Sequence, residues 1–155
     1  MALSATLLLH AGCGGNNDAG RPADLPQLFP VNITVTQEGT PLEGASVTLV
    51  ATSSTYTPSG TTNASGVAAI QTYGFPGAPA GEHAVLVTRV GIEDQREEQT
   101  PEGETVMVGG RRFRYIDPQF SNAASTPHRI TVSERGANET FEVGAPVRIF
   151  LGNSE

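Results

Sequence analysis

From Val31 onward the chain alternates apolar and polar side chains, and turn-forming residues cut the alternation into short runs. Val31, Ile33 and Val35 interleave with Asn32, Thr34 and Thr36, the period-two pattern of a strand with one buried face. Gln37-Glu38-Gly39-Thr40-Pro41 follows; there glycine supplies positive φ and proline fixes φ at a turn value. The pattern returns after Asn63-Ala64-Ser65-Gly66 and after Pro79-Ala80-Gly81. It predicts strands at Val31–Gln37, Ser46–Thr52, Gly60–Thr62, Val67–Thr72, Glu82–Val90, Thr105–Val108, Phe113–Ile116, Arg129–Val132 and Glu139–Val143. An edge strand is expected at Val147–Leu151.

His83, Val85 and Val87 fall on one face of their strand, and Ala84, Leu86 and Thr88 on the other. Two largely apolar faces predict a central strand covered on both sides. The expected inward positions are Ile33, Val35, Val47, Leu49, Ile70, Val85, Val87, Ile130, Val132 and Phe141. Between Ile92 and Glu104 stand Glu93, Asp94, Glu97, Glu98, Glu102 and Glu104 against Arg96 alone, interrupted by Pro101-Glu102-Gly103. With no apolar stripe to dock it, this stretch reads as an exposed, mobile loop. Short strands at this spacing predict an all-β fold, a single antiparallel Greek-key β-sandwich over residues 31–151.

Composition fits that reading. The chain has 155 residues, enough for one domain and a tail, and charged residues are 16% of it, below the ~25% of an average globular domain. Its formal net charge is −7. All nine basic residues are arginines. An acidic chain without lysine is poorly suited to neutralising phosphates, so nucleic acid is not expected as a partner.

Residues 1–13 read as a signal segment. Leu3 to Leu9 is mostly apolar, and Ala11-Gly12 places small residues before Cys13. Residues 14–30 read as a flexible linker, because Gly14-Gly15-Asn16-Asn17-Asp18 carries no apolar periodicity. Cys13 is the only cysteine, so an intramolecular disulfide is impossible. Lipidation of Cys13, ordinary secretion and a cytosolic thiol all remain open at this point. No basic residue precedes Leu3; an upstream start codon would supply the charged region that a secretory signal needs.

Several motifs resemble a known group. Gly39-Thr40-Pro41-Leu42-Glu43-Gly44-Ala45-Ser46-Val47 is similar to the opening of carboxypeptidase regulatory-like domains. Thr62-Asn63-Ala64-Ser65-Gly66-Val67 resembles their "T-D-x-x-G-x-F" turn, with Asn63 for Asp. Gly77-Ala78-Pro79-Ala80-Gly81-Glu82-His83 resembles "G-A-P-P-G-x-Y", with His83 in the Tyr place. Tyr115-Ile116-Asp117-Pro118 through Thr126-Pro127, and Asn138-Glu139-Thr140-Phe141-Glu142-Val143, resemble elements of planctomycete-type lipoproteins with this domain. His10-Ala11-Gly12-Cys13 resembles the lipoprotein box, although His10 stands where leucine is usual. The resemblance implies a transthyretin-like or immunoglobulin-like sandwich on an exported cell-envelope lipoprotein, on the periplasmic or surface side. Its membrane attachment would be a lipid on Cys13. The partner expected for such a module is an envelope protein or a polysaccharide, of unspecified identity. It implies no reaction.

Candidate chemistry is sparse, so no enzymatic activity and no cofactor is expected. A hydrolase of the 5-hydroxyisourate type on a transthyretin-like fold would need clustered His and Arg and a C-terminal Tyr-Arg-Gly-Ser; this chain ends Leu151-Gly152-Asn153-Ser154-Glu155. A polysaccharide-binding module would need exposed aromatics, and the chain has no Trp and three Tyr. His83 and His128 are far apart in sequence and lack a cysteine partner, so neither reads as a zinc ligand. Arg111-Arg112-Phe113-Arg114-Tyr115 is the one basic cluster bearing aromatics. Arg111, Arg112 and Arg114 are candidates to grip an anion or a partner's carboxylates. The alternative is that Phe113 and Tyr115 face the core while the arginines solubilise an edge strand and pair with the acidic loop.

Overall fold

A computed structural model describes residues 20–51 and 55–153. In chain order the strands are β1 (Leu28–Phe29), β2 (Val31–Gln37), β3 (Thr40–Pro41), β4 (Ser46–Val50), β5 (Ser59–Thr61), β6 (Val67–Ala69), β7 (Gln71–Thr72), β8 (Phe75–Pro76) and β9 (Ala78–Pro79). Then follow β10 (Gly81–Thr88), β11 (Val90–Glu93), β12 (Arg96–Gln99), β13 (Thr105–Val108), β14 (Arg111–Arg114), β15 (Arg129–Val132), β16 (Ala137–Glu142) and β17 (Ile149–Asn153). One 3-10 turn, Pro118–Ser121, has Asp117 as its cap, with the carboxylate accepting from Gln119 N at 2.9 Å.

The chain is all-β and built from several sheets. The largest runs β15-β10-β4-β5-β7-β8, so β10 is an inner strand, and of its two faces His83, Val85 and Val87 are fully buried while Leu86 and Thr88 are partly so. A second sheet runs β16-β2-β3, with β6 also on β2. Ile33 and Val35 from the second sheet share one cluster with Val47, Leu49, Val85, Val87, Ile130 and Val132 from the first. These residues are buried because only their side of each strand meets the other layer. Phe141 is partly buried at the rim of that cluster.

The pairing is not wholly antiparallel. β16 lies parallel to β2, with Ala137 opposite Val31 and Glu142 opposite Thr36. The expectation of a purely antiparallel arrangement is corrected on this point: alternation fixes which face is buried but carries no strand direction. The Glu142 side chain then closes the β2–β3 turn. Glu38 and Gly39 both take positive φ (50° and 77°), the conformation of a tight hairpin turn, and that turns their N–H groups outward. Glu142 Oε1 accepts from Glu38 N at 2.8 Å and Gly144 N at 2.9 Å; Oε2 accepts from Gly39 N at 3.0 Å and Thr36 Oγ1 at 2.8 Å.

Two further expectations change. The stretch 14–30, read as a linker, is structured in its described part: Leu25 is buried, and β1 pairs with β9 through Leu28 opposite Pro79. Arg21 Nη2 donates to Pro26 O at 2.7 Å, holding the bend that brings Leu25 inward. The stretch read as an acidic loop is a β-ribbon, with Arg96 opposite Val108 and Gln99 opposite Thr105. Backbone bonds from Gly103 N to Thr100 O (2.9 Å) and from Thr100 N to Glu104 O (2.8 Å) close its turn. Charged side chains are tolerated there because all four residues of β12 are exposed.

Candidate functional site

The basic cluster lies in a third sheet, ordered β11-β14-β17. The arginine-bearing strand is therefore the middle strand, not the expected edge, and its arginines divide between two faces. Glu93 stands opposite Arg111, and Gly91 opposite Phe113. These residues and Tyr115 form one face, whereas Val90, Ile92, Arg112 and Arg114 form the other.

On the first face the charges are paired. Asp94 adopts φ 58°, a left-handed conformation that Asp tolerates better than most residues. Arg111 fixes that kink: its Nε donates to Asp94 Oδ2 at 2.7 Å and its Nη2 bonds the same oxygen. Phe113 is buried but lies outside the main core cluster. The Arg148 guanidinium sits 3.7 Å from its ring centroid, and the Phe150 ring packs at 5.6 Å and 54°. This is a cation over a desolvated aromatic face. Arg148 Nη2 also donates to Glu93 Oε2 at 2.6 Å, and Tyr115 Oη donates to Glu93 Oε1 at 2.6 Å. Glycine at position 91 is needed here, since a Cβ would lie 2.8 Å from Tyr115 Cε2.

These contacts shift protons. The Arg148 hydrogen bond, then that of Tyr115, holds the Glu93 carboxyl down at about 2. The same bond to Glu93, with burial, pushes the Tyr115 hydroxyl up. Burial alone would raise the Glu142 carboxyl, but its hydrogen bonds to Gly39, Thr36, Glu38 and Gly144 together outweigh that and lower it. Both carboxylates therefore ionise more readily folded than unfolded, so they add stability above the unfolded value of 4.5. That stability is lost as pH falls, for Glu93 through about 2. The urea midpoint is expected to fall on acidification through this window, and Glu93→Gln to flatten the fall. Superimposable pH profiles for the two proteins would contradict the linkage.

On the second face the charges are unpaired. Neither Arg112 nor Arg114 makes an ion pair or a side-chain hydrogen bond among the described residues, and Arg114 Nε is buried without a partner. Val90 stands opposite Arg114 and Ile92 opposite Arg112, at 45% and 46% exposure, with Ile149 opposite Arg114 on the other side. Two guanidinium forks bracketed by aliphatic side chains suit an anionic ligand that also carries apolar surface. The spacing of Arg111, Arg112 and Arg114 in the sequence brought all three into view. Arg148 and the pairing role of Glu93 were missed, because the two lie 55 residues apart and no motif links them.

The histidines sit in structural surroundings. His83 is buried, its Nε2 bonding Pro79 O at 2.9 Å while Nδ1 lacks a partner. His128 stacks on Phe120 at 5.0 Å and leans on Phe141 at 4.8 Å, with Nε2 bonding Glu142 O at 3.0 Å. Burial lowers its pKa against the opposing pull of that bond. No group of three or more His, Cys, Asp or Glu able to hold a metal ion occurs among the described residues. No helix among them is long and apolar enough to cross a membrane. Cys13, with the rest of the predicted signal segment, lies outside the described residues. No family model, curated protein or solved structure matches the chain.

Proposed function

We propose that the chain is an exported cell-envelope lipoprotein, held to a membrane by a lipid on Cys13, whose β-domain is a non-enzymatic binding or spacer module. The observation that carries this reading is the order of the N-terminal residues. An apolar run ends in Ala11-Gly12, a lone cysteine follows, and a Gly-, Asn- and Asp-rich tether leads into the domain. The domain itself is proposed to be one Greek-key sandwich of transthyretin-like or immunoglobulin-like type; the core cluster shared by its two larger sheets supports this. An envelope protein or a polysaccharide is the proposed partner, with Arg112 and Arg114 as contacts and Arg111 as the strut that shapes their strand.

Membrane attachment should rest on Cys13. Acyl chains contribute about 0.8 kcal/mol per buried methylene, so two or three hold a protein firmly. A chain of net charge −7 has no general attraction to an anionic surface. With an arginine-bearing leader fused ahead of Met1, the wild type expressed in bacteria is expected to enter the detergent phase and to incorporate labelled palmitate. Cys13→Ser should do neither. Equal partitioning of both proteins would remove the lipoprotein reading and leave a soluble or peripherally bound domain.

A further inference from the structure

We propose that the ribbon from Val90 to Arg114 is a dimerisation arm, in which the acidic outer half of one copy docks on the Arg112 and Arg114 face of a second copy across a two-fold axis. The inference does not depend on lipidation of Cys13, and it names a second copy of this chain as the envelope protein that Arg112 and Arg114 contact.

Exposed apolar surface is concentrated on this arm and on the neighbouring β17. Among the described residues, every exposed large hydrophobic side chain except Tyr73 belongs to the ribbon or to β17 beside it. Scattered exposed apolar residues need no explanation, but Val90, Ile92 and Ile149 are gathered around Arg112 and Arg114 on one face, and an apolar set in one place marks an interaction surface. The outer half, β12 with β13, is only two strands wide, and its pairing is confined to the two strands themselves. An isolated hairpin of that size is at best marginally stable in water. Val106 and Met107 project from it into solvent.

Charge then identifies the occupant. The inner half offers Arg112 and Arg114 without carboxylate partners, on a chain whose net charge is −7. The outer half carries Glu97, Glu98, Glu102 and Glu104, and the one ion pair within it is Arg96 with Glu98 at 3.7 Å. Basic and acidic ends thus lie at opposite ends of one ribbon. They are parted by the kinks at Asp94 and Gly109-Gly110, all at positive φ. Two ribbons laid antiparallel bring each acidic end onto the other's arginines, twice and identically. That is the isologous geometry of a closed dimer, and Val90 and Ile92, which share the arginine face, are covered with it.

The test uses the full chain in reducing buffer, so that Cys13 cannot cross-link. Sedimentation equilibrium should show a monomer–dimer equilibrium at about micromolar to tens of micromolar protein, weakening with added salt. Arg112→Glu/Arg114→Glu and Glu97→Arg/Glu98→Arg should each lose self-association by about tenfold or more, since like charges then face one another. Mixed together, the two variants should form a heterodimer, because each reversed end meets a reversed complement. Should Arg114→Glu unfold the sheet, as the burial of its Nε permits, Arg112→Glu alone replaces it, with circular dichroism as the check. A wild type that stays monomeric up to about 1 mM would overturn the proposal. So would two folded variants that fail to associate when mixed, leaving an acidic segment of another protein as the arm's occupant.

Discussion

Leu49→Ala is expected to lower the unfolding free energy by about 2–5 kcal/mol. Leu49 lies in β4, fully buried, with Val85 opposite it on β10 and its N–H donating to Pro58 O at 2.8 Å. The backbone is thus held on both sides, so the chain cannot close over the space that a missing isobutyl group leaves. A domain of ordinary stability has about 5–15 kcal/mol in total, and the variant would be partly unfolded at moderate urea. Met107→Ala, on the exposed arm, should instead stay within about half a kcal/mol of the wild type. Urea melts of the two variants distinguish a shared core from a loose stack of sheets. A Leu49→Ala midpoint close to that of the wild type would contradict the packing described.

The second large effect is expected from the N-terminal side. Removing residues 1–28 deletes Leu25, which is 6% exposed, and half of the β1–β9 pair. Burying a leucine side chain is worth about 1.5–3 kcal/mol. With a slope of about 1–3 kcal/mol per molar urea, the midpoint should drop by about 1 M. The opposite result, an unchanged midpoint, would mean that the segment is a passive tether, as its Gly- and Pro-rich sequence alone suggests.

That contrast shows where the sequence was legible. β2, β4 and β15 could be read because a half-buried strand must alternate, and Val31, Ile33 and Val35 or Ile130 and Val132 do so without interruption, whereas β10 shows as a run apolar on both faces. Leu25, Leu28 and Phe29 have no such spacing; a short segment docks through a few contacts that only the folded chain supplies. Arg96–Gln99 carries no strand signal because all of its side chains face water, so its sequence has no apolar face. Its strand state comes from the partner Thr105–Val108 and from the turn at Thr100–Glu104. The arginine cluster was visible as a run of like residues, but its division into a paired face and an unpaired face depends on Glu93, Asp94 and Arg148. Those contacts join separate parts of the chain, as does the Glu142 carboxylate over the Glu38-Gly39 turn, and neither has a local signature.

Lipid attachment at Cys13 is tested most directly by mass spectrometry of the amino terminus of the mature protein, purified from membranes of a host that processes lipoproteins. The expected N-terminal peptide begins at Cys13 and carries acyl chains linked through its sulfur. A peptide that begins elsewhere, or one that contains Cys13 as an unmodified thiol, would contradict the lipid anchor.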